Sequence, residues 1–334
     1  MAAQPSPELF FDTLNAYQRT EALKAALELD LFTAIGEGAA TSAEIAARVK
    51  ASERGVRILC DYLTVVGFLT KKAGRYGLTL DTATFLNRRS PAYCGTAAGF
   101  LAAPDLIDGF KHLAEAVRKG GAVSEEGTVA PDHPIWVEFA RAMAPMVRMT
   151  AELLAKLIGS ESGENWKVLD IAAGHGLFGI SVAKMNPNAK VVEVDWAKVL
   201  EVAKENARAA GVADRVSQIP GSAFDVDYGT GYDVMLLTNF LHHFDPPTCE
   251  GLLRKVYAAL KPGGRAVTAE FVPNEDRVSP PTPAAFSLIM LGTTPSGDAY
   301  TFKELERMFH NAGFASSELH ALPPTFQSVV ISKK

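Results

Sequence analysis

From Lys167 to its C-terminus the chain alternates short, strongly apolar runs with longer stretches of helical periodicity, and this alternation leaves few folds open. Val168-Leu169-Asp170-Ile171 reads as a buried strand, Phe178 to Lys184 as a helix, Lys190 to Val194 as a strand and Lys198 to Ala210 as a helix. Arg215 to Ile219 and Tyr232 to Thr238 continue the strands, Cys249 to Leu260 is helical, and Arg265 to Glu270 is a further strand. Parallel neighbours need a long crossover, which these helices supply. The series therefore predicts a doubly wound α/β domain, a parallel sheet with helices on both faces. The end breaks the pattern. After a helix over Phe302 to Asn311, the runs Ser317 to Leu322 and Gln327 to Ser332 are separated only by a Pro323-Pro324 turn. That is too short for a crossover, so the last strand is expected to run antiparallel.

The first hundred residues read differently. Leu9, Phe10, Leu14, Tyr17, Leu23, Leu27 and Leu31 recur at helical spacing, and Thr41-Ser42-Ala43-Glu44 is a capping box. A helix after Ser52 carries Val56, Leu59, Leu63 and Val66 on one face and ends at Gly67. Phe68 to Lys72 and Tyr76 to Leu80 read as strands around Ala73-Gly74. Helix, helix, hairpin is the winged-helix order, which raises DNA binding. The second helix offers only Arg54 and Arg57 as bases, too few for a recognition helix, and the apolar composition fits dimerisation or a substrate lid better. From 91 to 160 the pattern is helical, interrupted by Gly120-Gly121, Pro131 and Pro134. Its stripe of Phe139, Met143, Met146 and Val147 is, on spacing alone, plain core. The domains expected are 1–100, winged-helix-like and dimerising, and 101–334, a helical linker or lid followed by the α/β domain.

Composition narrows the partners. A net charge of −5 argues against nucleic acid and anionic membranes, and no apolar run is long enough to span a bilayer. Cys60, Cys94 and Cys249 lie far apart without a C-x-x-C pair, which fits free thiols in a reducing cytoplasm. The N-terminus lacks the basic start and long apolar run of a signal peptide. No metal site is expected.

The turn Asp170-Ile-Ala-Ala-Gly174-His-Gly176 lies between a strand and a helix, where glycines let a bulky ligand approach the backbone. Asp195, about twenty residues on at the end of the next strand, is placed to accept hydrogen bonds from both hydroxyls of an adenosine ribose. Gly174-x-Gly176-x-x-Gly179 with such an acid also satisfies the dinucleotide fingerprint, so an NAD-dependent oxidoreductase is a rival reading. Three features oppose it: Asp170 before the glycines, the Lys261-Pro-Gly-Gly264 turn before a strand, and the antiparallel last strand. A winged-helix regulator that only senses the cofactor is a third reading.

On these motifs the chain, from Pro5 to its end, resembles the S-adenosylmethionine-dependent small-molecule O-methyltransferases, a family that includes plant phenylpropanoid, acetylserotonin and bacterial polyketide enzymes. The resemblance implies a winged-helix dimerisation domain, a Rossmann-like class I methyltransferase domain, a homodimer, and S-adenosyl-L-methionine as cofactor with S-adenosyl-L-homocysteine as product. The family's D-x-G-G-G-x-G loop matches Asp170 to Gly176, with Ala172 and Ala173 in place of two glycines, a replacement that keeps the space small. Its ribose acid matches Asp195, followed here by Trp196. Its G-D-M-F adenine segment matches Gly221-Ser222-Ala223-Phe224, so an acid is missing at Ser222. Its F-x-x-x-M pair matches Phe139 and Met143, which overturns the plain-core reading there and places Phe139 at the cofactor and Met143 at the substrate. Thr238 joins the implied cofactor set. Its I-M-L and P-G-G segments match Ile289-Met290-Leu291 and Pro295-Ser296-Gly297. Met146, Phe244, Phe286, Met290 and Thr294 complete the implied substrate set.

Methyl transfer from a sulfonium is an in-line displacement in which the protein chiefly aligns the acceptor, and a hydroxyl acceptor must also lose a proton. An imidazole, which titrates near neutrality, suits that task. The family's H-D-W base segment matches His242-His243-Phe244, making His242 the implied general base, and the acid that orients it matches Glu270. The family's second acid aligns with Ala299, which cannot orient a base, and the adjacent Asp298 is expected to point elsewhere. The acceptor implied is a hydroxyl of an aromatic or polyketide-like metabolite, with nitrogen or carbon as the alternative. A Glu270→Gln change is expected to cost less than loss of the imidazole.

Overall fold

The computed structural model describes residues 5–334, and the chain divides into two compact units between Ala98 and Gly99. In the first unit α1 (Glu8–Leu14), α2 (Ala16–Glu28), α3 (Leu31–Gly36), α4 (Ser42–Val49) and α5 (Glu53–Val65) precede the strands β1 (Leu69–Lys72) and β2 (Arg75–Leu78), and α6 (Leu80–Phe85) follows. The capping box forms as expected: Thr41 Oγ1 accepts from Glu44 N at 3.2 Å, and the Glu44 carboxylate accepts from Thr41 N at 2.9 Å. Ala73 and Gly74 both take positive φ (48° and 76°), the left-handed pair whose twist suits a two-residue hairpin. Leu31, Phe32, Ile45, Cys60 and Leu63 form the centre of this unit's core. Helix α1 adds nothing to that core: Leu9 is 79% exposed and Phe10 61%.

The second unit contains the short helices α8 (Pro104–Lys111) and α9 (Leu113–Lys119), preceded by α7 (Ala97–Leu101), and the long α10 (Ile135–Leu157). The α/β series follows: β3 (Lys167–Ile171), α11 (Leu177–Met185), β4 (Lys190–Asp195), α12 (Ala197–Ala209), β5 (Val216–Pro220), β6 (Tyr232–Thr238), α13 (Pro246–Ala259) and β7 (Leu260–Glu270). The chain ends with α14 (Pro281–Thr293), α15 (Phe302–Asn311), β8 (Ser316–Ala321) and β9 (Ser328–Lys333). The sheet order is β5-β4-β3-β6-β7-β9-β8. Strands β3 to β7 pair in parallel, and β9 is antiparallel to both β7 and β8.

The antiparallel last strand is as expected, but its position between β7 and β8 was not legible in advance. The reason is compositional. Val329-Val330-Ile331 is apolar on both faces and needs two neighbours, whereas Ser316-Ser-Glu-Leu-His-Ala321 alternates and stays largely exposed, as an edge strand does. Two further elements run longer than the periodicity indicates. Asp245 accepts from Thr248 N at 2.8 Å and so starts α13 at Pro246, ahead of Cys249. β7 begins at Leu260, through the Lys-Pro-Gly-Gly turn, with an irregularity opposite Tyr232–Val234.

Each strand sends alternate side chains to opposite layers. Leu169, Ile171, Met235 and Leu237 pack under α13 and α15 with Leu252, Leu305 and Phe309. Val168, Val191, Val234 and Val267 pack under α10 and α11 with Leu154, Phe178 and Ile180. Asp170 and Glu193 fall in step with Val168 and Val191, so two acids enter this otherwise apolar second layer.

Candidate active site

The C-terminal ends of β3, β4, β6 and β7 bring together Asp170, Asp195, Thr238 and Glu270, the sheet edge at which ligands bind in open α/β folds. Between β3 and α11 the backbone takes left-handed φ at Ala172 (53°), Gly174 (57°) and Gly176 (73°). The alanine at 172 thus keeps the space of a glycine but not its conformational freedom. Gly176 is further constrained, since a Cβ there would lie 2.5 Å from Glu193 Oε1.

Asp195 closes this loop. Its Oδ2 accepts from Gly174 N at 2.8 Å and its Oδ1 from Trp196 N at 2.7 Å. Burial raises its carboxyl to about 6, a shift that these two backbone donors limit. A carboxylate has about four acceptor positions, so each oxygen keeps one for a further donor. Asp170 is fully buried. Its Oδ2 accepts from Gly179 N at 2.9 Å, and its Oδ1 has no hydrogen-bond partner. His175 is buried too; burial pushes its imidazole down to about 4, so it is neutral.

The adenine segment follows. Gly221 N donates to Asp195 O at 2.9 Å, which ties that segment to the ribose acid. Ser222 Oγ accepts from Phe224 N at 3.2 Å. Ala223 is buried, and its carbonyl accepts from Lys255 Nζ at 3.0 Å and from the Tyr228 hydroxyl. The Phe224 ring meets Phe244 at 5.0 Å.

Helix α10 covers the cofactor loop. The Phe139 ring stacks on His175 at 5.9 Å and meets Trp136 edge-on at 5.8 Å. Trp136 in turn meets His243 at 5.1 Å, and Trp196 packs with Trp136 in a small apolar cluster. Trp136 and His175 carry no motif of their own. For Trp136 the available signal was its place one turn before Phe139.

His242 and Glu270 form the centre of the constellation. His242 Nδ1 lies 2.5 Å from Glu270 Oε2, both side chains being about 5% exposed or less. A carboxylate only accepts, so Nδ1 carries the hydrogen and Nε2 presents its lone pair. The other oxygen, Glu270 Oε1, accepts from Phe240 N at 3.1 Å and Leu241 N at 3.0 Å, anchoring the turn that carries the imidazole. The neighbouring His243 ring is 4.2 Å away, and burial drives its pKa well below the usual imidazole value, so it is neutral.

Of the residues expected to meet substrate, Phe286 comes to the imidazole, its ring 4.9 Å from His242 and stacked at 4.3 Å on Phe271. Phe244 lies next to His243, their ring centroids 6.2 Å apart, and Met290 is buried on α14 one turn beyond Phe286. Met143 packs against the second core layer, and Met146 is 47% exposed. Thr294 follows the last turn of α14. It is fully buried, and its hydroxyl donates to Met290 O at 2.8 Å and accepts from Gly297 N at 2.9 Å, so it caps its own turn. Gly297 presses on the base turn: a Cβ there would collide with His242 O. Ala299 is buried, and Asp298 pairs with Arg277 at 3.0 Å, away from the imidazole.

The family model of the O-methyltransferase domain matches residues 110–315, and that of the O-methyltransferase dimerisation domain matches residues 11–88. The chain belongs to the O-methyltransferase family. The methyltransferase is 29% identical over 316 residues to 3-hydroxy-5-methyl-1-naphthoate 3-O-methyltransferase of Streptomyces sahachiroi, covering 92% of this chain and 89% of that one. A Nostoc punctiforme PCC 73102 protein assigned to the O-methyltransferases has the same fold at a TM-score of 0.96, with 56% identity, over 99% of this chain and all of that one. Human N-acetylserotonin methyltransferase, solved in complex with S-adenosylmethionine, shares the fold at a TM-score of 0.85 with 22% identity, over 100% of this chain and 99% of that one. S-adenosylmethionine, which that human enzyme holds, can be set against the site of this methyltransferase. Its residues fit that group: Asp195 keeps an acceptor position on each oxygen, and Asp170 Oδ1 is a buried acceptor that needs a donor. Among the described residues no helix is long and apolar enough to cross a membrane.

Proposed function

We propose that this methyltransferase acts as a homodimer on a phenolic hydroxyl of an aromatic or polyketide-like small molecule, with His242 as general base. The observation that carries this is the buried 2.5 Å contact between His242 Nδ1 and Glu270 Oε2, which leaves Nε2 as the one ring nitrogen free to take a proton. The naphthoate-specific relative supports a fused aromatic acceptor.

S-adenosylmethionine supplies an activated methyl group when bound. Asp195 holds its ribose through the two remaining acceptor positions, and Asp170 Oδ1 takes its amino group. Gly174, Gly176 and Thr238 border it, the Gly221–Phe224 segment receives the adenine, and Phe139 and Trp196 cover it. Phe286, Met290, Phe244, Met143 and Met146 supply the apolar contacts that orient the acceptor, as expected of a small-molecule pocket. His242 Nε2 takes the hydroxyl proton as the oxygen attacks, and Glu270 steadies the resulting imidazolium. Residues 1–100 serve dimerisation, and the helices from residue 101 to the sheet act as lid and linker.

Carbon methylation is the second reading, favoured by Ala299 in place of an orienting acid. A panel of hydroxynaphthoates and their O-methyl ethers, incubated with labelled S-adenosylmethionine and read by mass, separates the two. Label on the free phenols alone, lost on ether cleavage, supports oxygen as acceptor; label that survives cleavage refutes it. S-adenosylhomocysteine should raise thermal stability by about 2.7 kcal/mol at a hundredfold excess over Kd, and Asp195→Ala should remove most of that gain. An unchanged shift in the variant would refute the ribose assignment.

A further inference from the structure

Asp170 and Glu193 are partners in the register of β3 and β4, on neighbouring strands about 4.8 Å apart. Both side chains are fully buried, on the sheet face covered by α11. Each carboxyl has one oxygen satisfied: Asp170 Oδ2 by Gly179 N at 2.9 Å, and Glu193 Oε2 by Gln218 Nε2 at 3.0 Å. The other two oxygens, Asp170 Oδ1 and Glu193 Oε1, have no partner.

Two carboxylates facing each other in a buried layer cannot both be ionised. Nothing around them supplies a counter-charge. The cofactor loop contributes the neutral His175, the end of β4 contributes Asp195, a further acid, and β5 contributes only the amide of Gln218. Helix α11 presents the backbone of Gly176 and Gly179 and the side chain of Ile180, and α12 presents Ala203. Burial and the neighbouring acids hold the Asp170 carboxyl well above the ordinary range, and burial raises that of Glu193 to about 7. One proton held by the pair, on either carboxyl, removes one of the two charges.

We propose that Asp170 and Glu193 share a single proton in the protein without cofactor, and that Glu193 is thereby a positioning residue that presents Asp170 to the cofactor's amino group and couples binding to proton release. The inference rests on the reading that Asp170 meets that amino group. An ammonium beside Asp170 favours the ionised pair, so the pair's pKa is lower with ligand than without. Binding then releases a proton at pH values below the free pair's pKa. Affinity rises with pH in that window, by at most about tenfold per unit, and levels off above it. Asp195 titrates nearby as well, and its charge raises the Glu193 carboxyl, so only the part of the pH dependence that disappears with Glu193 belongs to the pair.

Glu193→Gln separates the two sources. The amide keeps the shape, accepts from Gln218 through its oxygen, and carries no charge, so it neither repels an Asp170 carboxylate nor has a proton to release. S-adenosylhomocysteine binding to the full chain is measured by calorimetry between about pH 5.5 and 8.5, in two buffers of different ionisation enthalpy. The wild type should release a proton near about pH 6.5 and bind several-fold more weakly at pH 6 than at pH 8. Glu193→Gln should match the wild type at pH 8 within about threefold and lose most of that pH dependence. A variant with the wild-type slope would overturn the proposal and assign the dependence to Asp195. If the variant does not fold, carbon-13 titration of the wild-type carboxyls decides. One carboxyl of the pair still protonated at about pH 6.5 supports the shared proton, and both ionised below about pH 5 overturns it. If Asp170→Asn binds S-adenosylhomocysteine as tightly as the wild type while that titration still shows the proton, the cofactor reading of Asp170 fails and proton sharing stands.

Discussion

Glu270 touches His242 in two ways at once: Oε2 meets the ring at Nδ1, and Oε1 accepts the backbone N–H groups of Phe240 and Leu241, the residues that lead into it. One side chain therefore sets both the tautomer and the path of the turn. This revises the sequence-based expectation for Glu270→Gln. The two backbone donors hold the amide oxygen, so the NH2 group faces Nδ1 and drives the ring hydrogen to Nε2, where a base needs a lone pair. The variant should lose kcat by roughly 10²–10⁴, as much as His242→Ala, with S-adenosylhomocysteine affinity nearly unchanged. Single-turnover kinetics check this, and a loss below about tenfold would show that Glu270 does not set the tautomer.

Ala172 holds φ of 53° in the cofactor loop without the freedom of glycine. Ala172→Gly should stabilise the protein by about 1 kcal/mol, the left-handed penalty less the added unfolded-state entropy. Denaturant unfolding with and without S-adenosylhomocysteine measures it, and equal or lower stability in the variant would contradict the reading.

Much of this was legible in the sequence. The strand–helix alternation from Lys167 gave the sheet, and the Asp170–Gly176 and Asp195 spacing gave the cofactor edge, because both follow from local periodicity and turn chemistry. What was not legible depends on contacts between distant segments. The insertion of β9 beside β7 is decided by which strand can be buried on both faces. The orphaned oxygen of Glu193 is decided by its cross-strand neighbour. Glu193 looked like one more residue of an apolar strand, since periodicity says nothing of what stands opposite.

Gly297 packs against the carbonyl of His242, with Thr294 Oγ1 accepting its N–H. Gly297→Ala should displace the base turn and lower kcat by at least about tenfold, while Kd for S-adenosylhomocysteine changes less than about threefold. Equal losses in both would show that the loop serves the cofactor rather than the base.

Helix α1 exposes Leu9, Phe10, Phe11 and Leu14, and the first turn of α2 exposes Tyr17, each at least 56% accessible, within the segment that begins the dimerisation-domain match or just precedes it. Such a stripe fits burial by a second copy. Light scattering at micromolar concentration should give a dimer, and Leu9→Asp with Phe10→Asp should shift it toward monomer. A wild-type monomer would contradict the assignment.

Removal of the acceptor's proton by His242 is read out by the pH–rate profile of His242→Ala under single-turnover conditions, with a hydroxynaphthoate that the wild type methylates. With His242 as base, the loss should be roughly 10²–10⁴ near neutrality and should shrink as pH rises and the phenol ionises unaided, with S-adenosylhomocysteine affinity preserved. A loss below about tenfold that does not vary with pH would contradict it and leave alignment alone as the source of the rate.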